Sequence, residues 1–235
     1  DALLWTDSRY FLQAARQLED TDIKLMKDGL PDTPSINHYL THTLKKGAKV
    51  GIDGALFNLG TVCALRGVLE KRGMTLATDF DATDTIWEDR PDLPEAMVFV
   101  HDVKYAGETA ASKIAKILAE AAEQGANATL VSALDEIAWT LNIRSRDVNC
   151  NPVATAFLYL SAKGSILFIK PEKIDDTTAA YLRESEVSVL PYSEVYSHMS
   201  SLPADTLVLV DATRTSIKAI DSLGSRAVVG GIANP

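Results

Sequence analysis

Apolar and polar residues along the chain repeat with two different periods, one typical of strands and one typical of helices. Lys49–Ile52 and Thr129–Ser132 are short and bounded by turn residues, as strands are, whereas Leu56–Lys71 and Glu108–Gln124 repeat apolar residues at helical spacing. Strand and helix segments of this kind follow one another through almost the whole chain. This order predicts an α/β fold, in which helices cover a largely parallel or mixed sheet.

One segment interrupts the alternation. Residues 79–94 are rich in carboxylates and prolines, and they include the sequence Ile86-Trp87-Glu88-Asp89-Arg90-Pro91. Proline stiffens the chain and pushes the preceding residue towards extended geometry, which is typical of a linker between domains. We therefore predict two domains, residues 1–85 and 96–235, joined by a linker over residues 86–95.

The two halves of the chain place their elements in the same order. Each half has four predicted strands with helices between them: Leu3–Trp5, Ile23–Met26, Lys49–Ile52 and Met74–Ala77 in the first, and Ile166–Ile169, Val187–Leu190, Leu207–Val210 and Ala227–Val229 in the second. Corresponding strands lie roughly 150–165 residues apart, which is a domain-sized period. The sequence therefore predicts two related domains.

A hairpin predicted in the second half has no counterpart in the first. Its strands are Ala154–Ser161 and Ser165–Lys170, with Lys163-Gly164 at the turn. Without such a partner, a strand that begins at residue 2 would have an exposed edge, which proteins usually avoid. We therefore expect the first domain to be incomplete, with roughly 60–70 residues preceding Asp1, about the length that precedes the matching strand in a domain-sized repeat. The alternative is a smaller first domain.

Charge and composition exclude several classes of partner. The formal net charge is −9 at pH 7, so the chain lacks the basic surface that duplex nucleic acid or an anionic membrane requires. No apolar run reaches the ~18 residues of a membrane span, and no signal peptide opens the sequence, although a leader upstream of Asp1 stays open. The two cysteines, Cys63 and Cys150, fit neither a disulfide framework nor a zinc motif. We expect a cytoplasmic protein that binds neither nucleic acid nor membrane.

Common catalytic motifs do not occur in the sequence. It has no Gly-x-Ser-x-Gly elbow, no Gly-x-Gly-x-x-Gly turn and no phosphate-binding Gly-Lys-Ser/Thr loop. His38 and His42 share a face of one predicted helix, but no acidic or sulfur ligand accompanies them, which favours a solvated face over a metal site. Asp135 and Glu136 fall in the first turn of the predicted helix Glu136–Asn142, where carboxylates complement the helix dipole. We predict no catalytic residue and no metal site in this chain.

The most unusual segment is Arg144–Pro152, which we call the polar loop. It holds two arginines, one aspartate and two asparagines within nine residues, and it joins the predicted helix to the hairpin. Two interpretations are open. It could be a solvated loop with an Asx turn before Pro152, or a polar surface that contacts a ligand or a partner domain.

Many of these segments together resemble a known family, the long three-domain Xaa-Pro aminopeptidases (aminopeptidase P, peptidase family M24). The segment Ser132–Trp139 is the strongest match, and Ser8 and Ser145 stand where the family usually has glycine. Ala154-Thr155 replaces a frequent aromatic pair. The matching segments, in order and register, are Trp5–Ala14, Leu25–Lys27, Gly29, Asp32–Pro34, Val50–Asp53, Ile86–Trp87, Asp89–Pro91, Tyr105–Gly107, Ser132–Trp139, Leu141–Asn142, Arg144, Asp147, Asn151–Val153 and Pro191–Tyr192.

The resemblance implies a fold and an activity. The fold is two related creatinase N-terminal-type (ribonuclease H-like) α/β domains, with mixed sheets flanked by helices, the first domain being incomplete here. In the family, a pita-bread catalytic domain follows and carries a dinuclear metal centre, usually manganese; the resemblance implies that this domain is absent from the present chain. The family releases the N-terminal residue from peptides that have proline at position two. This chain alone is therefore expected to be inactive, to shape substrate access for its own catalytic domain and to contribute to a homodimer.

The polar loop is the segment that the resemblance places nearest to the catalytic pocket, where short proline-containing peptides bind. Arg144 would pair with a carboxylate of the substrate or of the partner domain. Asp147 would hold the free amino group of a peptide, and Asn151 would fix the loop before Pro152. The alternative is a free-standing α/β binding or interaction module, a pseudoenzyme that never had a catalytic domain.

Overall fold

The computed structural model describes residues 2–84 and 86–231. The chain forms two compact units, one made of Asp1–Val50 with Cys63–Ala77 and the other of Gly51–Val62 with Thr78–Pro235. The domain limits and the linker that we predict from the sequence, at residues 1–85, 86–95 and 96–235, stay predictions.

Residues 2–77 contain four short strands that form two separate pairs. In chain order the elements are β1 (Ala2–Thr6), α1 (Phe11–Gln17), β2 (Ile23–Lys27), α2 (Ile36–Thr43), β3 (Lys49–Gly51), α3 (Leu59–Glu70) and β4 (Thr75–Ala77). Strand β1 runs parallel to β2, and β3 pairs with β4. Trp5 holds β1 in place, because its indole N–H donates to the carbonyl oxygen of Pro34 at 2.8 Å and its ring meets Tyr39 edge-on, with centroids 5.5 Å apart. The four strands predicted for this half are confirmed.

The second unit is built on a six-stranded mixed sheet with the order β10-β9-β8-β6-β11-β12. Strand β8 is antiparallel to both of its neighbours, whereas the β9–β10, β6–β11 and β11–β12 pairs are parallel. The predicted hairpin is therefore confirmed as β8–β9, and so is the α/β class with a mixed sheet. The strands are β6 (Ala128–Val131), β8 (Phe157–Ser161), β9 (Ser165–Phe168), β10 (Val187–Leu190), β11 (Val208–Asp211) and β12 (Ala227–Gly230).

Helices cover both faces of this sheet. Successive residues of a strand point to opposite faces, and the two apolar clusters follow that alternation along β8. Leu158 and Leu160 pack with three helices on one face, α5 (Ala110–Glu123), α6 (Leu134–Thr140) and α7 (Asp176–Glu184). Phe157 and Tyr159 pack with two helices on the other face, α8 (Val195–Ser201) and α9 (Ile217–Leu223). The remaining elements of this unit are β5 (Phe99–Val100), α4 (Val103–Ala106) and β7 (Ile143–Arg144).

Helix α6 begins and ends earlier than the predicted helix Glu136–Asn142. Its N-cap is Ala133, which has no side-chain oxygen to mark the start in the sequence. It ends at Thr140 because Asn142 adopts a left-handed backbone conformation with φ 51°, which a helix cannot continue. In the two described stretches of chain, no helix is both long enough and apolar enough to cross a membrane.

Candidate functional site

The polar loop starts on an antiparallel strand pair. Arg144 lies on β7 opposite Phe99 of β5. Its guanidinium is partly buried, and Nη1 donates to the carbonyl oxygens of Ala138 at 2.7 Å and Ile143 at 2.8 Å. The carbonyl of Ala138 is one of the last in α6 and has no partner within the helix, so Arg144 closes the end of α6.

The side chain of Asp147 is buried within the second unit. It is 0% exposed and forms an ion pair with the ammonium group of Lys173, whose side chain is 2% exposed. The same carboxylate accepts a hydrogen bond from the backbone N–H of Thr155 at 2.6 Å and lies within 3.2 Å of the Ser145 hydroxyl. Asp147 therefore links three segments of the second unit through one carboxylate.

Asn151 lies at the surface, where its backbone closes a tight turn. Its N–H donates to the carbonyl of Val148 at 3.2 Å, and its own carbonyl accepts from Val153 at 2.9 Å. Between Val148 and Asn151, Cys150 adopts a left-handed backbone conformation with φ 60°. The turn borders an open groove of about 330 Å³, which is lined by Phe99, Ser145, Arg146 and Val148–Pro152.

The structure does not bring the three predicted site residues onto one solvent-facing surface. Arg144 is partly buried, Asp147 is enclosed and Asn151 is exposed. A peptide amino group that reached Asp147 would have to displace the ammonium of Lys173 or the amide of Thr155. This geometry favours a positioning role for Asp147 over direct contact with a substrate, and substrate binding by the three residues stays a prediction.

A buried hydrogen-bond network that sequence reasoning missed involves residues that directly precede the polar loop. The ammonium of Lys113, on α5, donates to the side-chain oxygen of Asn142 at 2.7 Å and to the carbonyl of Trp139 at 2.8 Å, and it lies 4.1 Å from the Trp139 ring centroid. The side-chain N–H of Asn142 donates to the carbonyl of Glu108 at 2.7 Å. The backbone carbonyl of Asn142 accepts from the backbone N–H of His101, also at 2.7 Å. Asn142 thus joins the start of α5 to the end of α6.

Asp135 and Glu136 lie in the first turn of α6, as predicted. Glu136 has a second feature that the sequence did not indicate, because it also lines a small polar cavity. Burial raises the pKa of the Glu136 carboxyl; the nearby Arg214 guanidinium opposes this shift, and the Asp135 and Asp211 carboxylates add to it.

The histidine pair is a local arrangement within α2. The rings of His38 and His42 are stacked with centroids 3.8 Å apart, and Nδ1 of His42 lies 2.8 Å from the carbonyl oxygen of His38. Among residues 2–84 and 86–231, no group of three or more His, Cys, Asp or Glu side chains is arranged to hold a metal ion. The described residues therefore do not fit the dinuclear centre of the family that the sequence resembles.

The fold and the sequence define the class of protein. The sequence model of the creatinase/prolidase N-terminal domain matches residues 89–235, which contain the whole six-stranded sheet and the polar loop. The chain belongs to the creatinase/prolidase N-terminal domain family.

More particular similarity is to aminopeptidases that act at proline. The chain is 37% identical over 231 residues to the "Probable Xaa-Pro aminopeptidase P" of Laccaria bicolor, covering 95% of this chain and 35% of that protein. It is 34% identical over 228 residues to aminopeptidase P2 of Arabidopsis thaliana, covering 95% and 32%. The resemblance found in the sequence is thereby confirmed, and the chain spans about a third of the length of these curated relatives.

A solved structure shows the same architecture. The crystal structure of the X-prolyl aminopeptidase of Caenorhabditis elegans, described as a cytosolic enzyme with a dinuclear active site, superposes with a TM-score of 0.85 at 31% sequence identity. The superposition covers 97% of this chain and 38% of that one.

Proposed function

We propose that this chain is the N-terminal, non-catalytic region of a metal-dependent Xaa-Pro aminopeptidase, a hydrolase that releases the first residue of peptides with proline at position two. The observation that carries the proposal is similarity along nearly the whole chain to enzymes of which it covers about a third. The absent catalytic domain would hold the dinuclear centre, with manganese as the expected metal. The two units would act in the cytoplasm, limit access to short proline-containing peptides and contribute to a homodimer.

The polar loop is the segment that we propose faces the catalytic domain. Its surface offers an open groove with Phe99 and Val148, which are 48% and 43% exposed, beside the exposed Arg146 and Asn151. A mixed apolar and polar surface of this kind suits contact with another domain or with a peptide. The proposal also retains Arg144 as a contact with a carboxylate, because within the described residues the hydrogen bonds of its guanidinium are both made by Nη1.

The intact gene product should hydrolyse Xaa-Pro peptides in the presence of manganese, and Arg144→Ala should lower its kcat/KM by about tenfold, the usual scale for one lost charged contact to substrate or partner domain. Steady-state kinetics with a Xaa-Pro peptide measures both. The matched control is Arg183→Ala, since Arg183 is an exposed arginine on α7 whose Nε donates to the carbonyl of Ala179 within that helix.

The two parts of this experiment can fail separately. If the intact gene product does not cleave Xaa-Pro peptides, the chain is the alternative, a free-standing binding module. If it cleaves them and Arg144→Ala behaves like Arg183→Ala, the enzyme assignment holds and the role of Arg144 is wrong.

A further inference from the structure

A small polar cavity of about 40 Å³ lies where β6 and β11 end, within the second unit. These strands are parallel neighbours, with Val208 opposite Ala128. The chain leaves β6 into α6, which packs on one face of the sheet, and leaves β11 towards α9, which packs on the other face. A crevice opens between two such diverging connections, and it is the usual place for ligands in open α/β sheets.

Three of the residues that line this cavity, which we call the hydroxyl cavity, have buried hydroxyl groups without partners in the described parts of the chain. The oxygens of Ser132, Thr140 and Thr215 are inaccessible to solvent and make no hydrogen bond to any residue in the described parts of the chain. Thr140 is 0% exposed and Thr215 is 1% exposed. Leaving a buried hydroxyl unpaired costs about 1–3 kcal/mol, so three around one cavity indicate that something else binds them.

The charges around the hydroxyl cavity favour a positive occupant. Glu136 and Asp211 line it, and Asp135 adds a third carboxylate nearby. One oxygen of Asp211 accepts from the N–H and the hydroxyl of Thr213, at 2.6 and 2.8 Å, which leaves the other oxygen available. Among the described residues of the lining, Arg214 is the one basic side chain, and it is exposed. The polar groups of the lining are therefore mainly acceptor oxygens and carboxylates, beside the apolar side chains of Ile117, Leu130, Val131 and Leu209.

Size and ligand type narrow the choice further. A volume of about 40 Å³ holds about three water-sized particles, which is too small for a metabolite but suits one ion with one or two waters. The lining contains no histidine or cysteine, the ligands that softer transition metals prefer. Two carboxylates among hydroxyls supply less charge than the carboxylate-rich sites that retain calcium.

We propose that the hydroxyl cavity binds a small monovalent cation, Na⁺ or K⁺, through the hydroxyl oxygens of Ser132, Thr140 and Thr215 and the carboxylates of Glu136 and Asp211. The ion would tie α6 to the loop that follows β11 and so join the two helical layers at the carboxyl edge of the sheet. The proposal does not depend on the aminopeptidase assignment.

Hydrogen exchange of the intact protein tests this site locally. Backbone amides of residues 132–140 and 211–216 are compared in NaCl, KCl and choline chloride at equal ionic strength. At a concentration about ten times the dissociation constant, binding should slow their exchange about tenfold in Na⁺ or K⁺ relative to choline. MgCl₂ and CaCl₂ at the same ionic strength serve as divalent arms.

The double variant Thr140→Val/Thr215→Val removes two ligand oxygens with little change of shape and should abolish the cation effect. The control Thr178→Val removes another buried hydroxyl, one that donates to the carbonyl of Val98, and should retain it. Equal exchange in all three monovalent salts, a response to divalent ions only, or a cation effect that persists in the double variant would each overturn the proposal.

A second measurement covers the case in which the double variant does not fold. Crystals of the wild-type protein soaked in a thallium(I) salt should show an anomalous peak inside the hydroxyl cavity, since Tl⁺ replaces K⁺ and scatters strongly. A cavity without that peak, together with amide exchange of the wild-type protein that does not slow in NaCl, would contradict the assignment.

Discussion

Asp147→Ala is expected to destabilise the second unit by about 3–5 kcal/mol, the scale seen when one partner of a buried ion pair is removed. The substitution leaves the ammonium of Lys173 enclosed without its counter-charge, and it also removes the acceptor of the Thr155 amide. Such a loss is a large part of the total stability of an ordinary domain. Urea unfolding followed by circular dichroism would show it as a lower midpoint.

The double variant Asp147→Ala/Lys173→Met separates the effect of the unpaired Lys173 ammonium from the other effects of removing the Asp147 carboxylate. Because the second substitution removes the unpaired ammonium, the double variant should recover much of the stability that Asp147→Ala loses. If the free energy of unfolding of Asp147→Ala lies within about 1 kcal/mol of the wild-type value, the carboxylate is not a buried cross-link.

Lys113→Met should lower the free energy of unfolding of the second unit by about 2–4 kcal/mol. The variant keeps an unbranched apolar side chain, but it leaves the buried side-chain oxygen of Asn142 without this donor and removes one of the two hydrogen bonds of the Trp139 carbonyl, which still accepts from the N–H of Asn142. Lys116→Met is the matched control, because Lys116 lies on the same helix and forms a surface ion pair with Glu108. Equilibrium unfolding should find no measurable change in that control.

The stability difference between wild type and Lys113→Met should also depend on pH. Burial lowers the pKa of the Lys113 ammonium below its ordinary value of 10.5, and the Glu108 carboxylate opposes this shift. Between the lowered and the ordinary pKa the unfolded chain binds more protons than the folded one, so wild-type stability rises with pH in that window. The difference should therefore move in favour of the wild type as pH approaches 10.5, and a difference that is constant up to that pH would contradict the burial of this charge.

Much of the fold could be predicted because its signals are local. Strands β9 to β12 are apolar runs bounded by turn residues, and the hairpin turn is marked by Gly164, whose φ of 124° disfavours other residues. Strand β7 was missed because Ile143–Arg144 is only two residues long and pairs with β5, more than 40 residues earlier. No local pattern encodes a pairing of that kind.

The repeat between the two halves was predicted correctly in element order. Its pairings can now be compared, since β1–β2 and β9–β10 are both parallel. In the second unit, β8 and β6 join the β9–β10 pair to the β11–β12 pair. Within the described residues the β1–β2 and β3–β4 pairs have no such connecting strands, and the expectation of a preceding segment stays a prediction.

The contacts of the candidate site could not be predicted from the sequence, because they join distant segments. The composition of the polar loop suggested a solvent-facing Asp147, but Lys173, 26 residues further on, meets its carboxylate in the interior. A lysine in a sequence is normally read as a surface residue. The hydroxyl cavity is likewise assembled from Ser132 and Thr140 on one connection and Thr215 on another, with nothing in either segment to mark them.

We propose that these 235 residues form a scaffold and that the catalytic metals bind elsewhere in the protein. The most direct test of this proposal is the manganese content of this chain and of the intact gene product after equilibrium dialysis against Mn²⁺, measured by mass spectrometry. We predict about two equivalents per intact protein, as expected for a two-metal site, and essentially none on residues 1–235. One or more tightly bound equivalents on residues 1–235 alone would contradict the account.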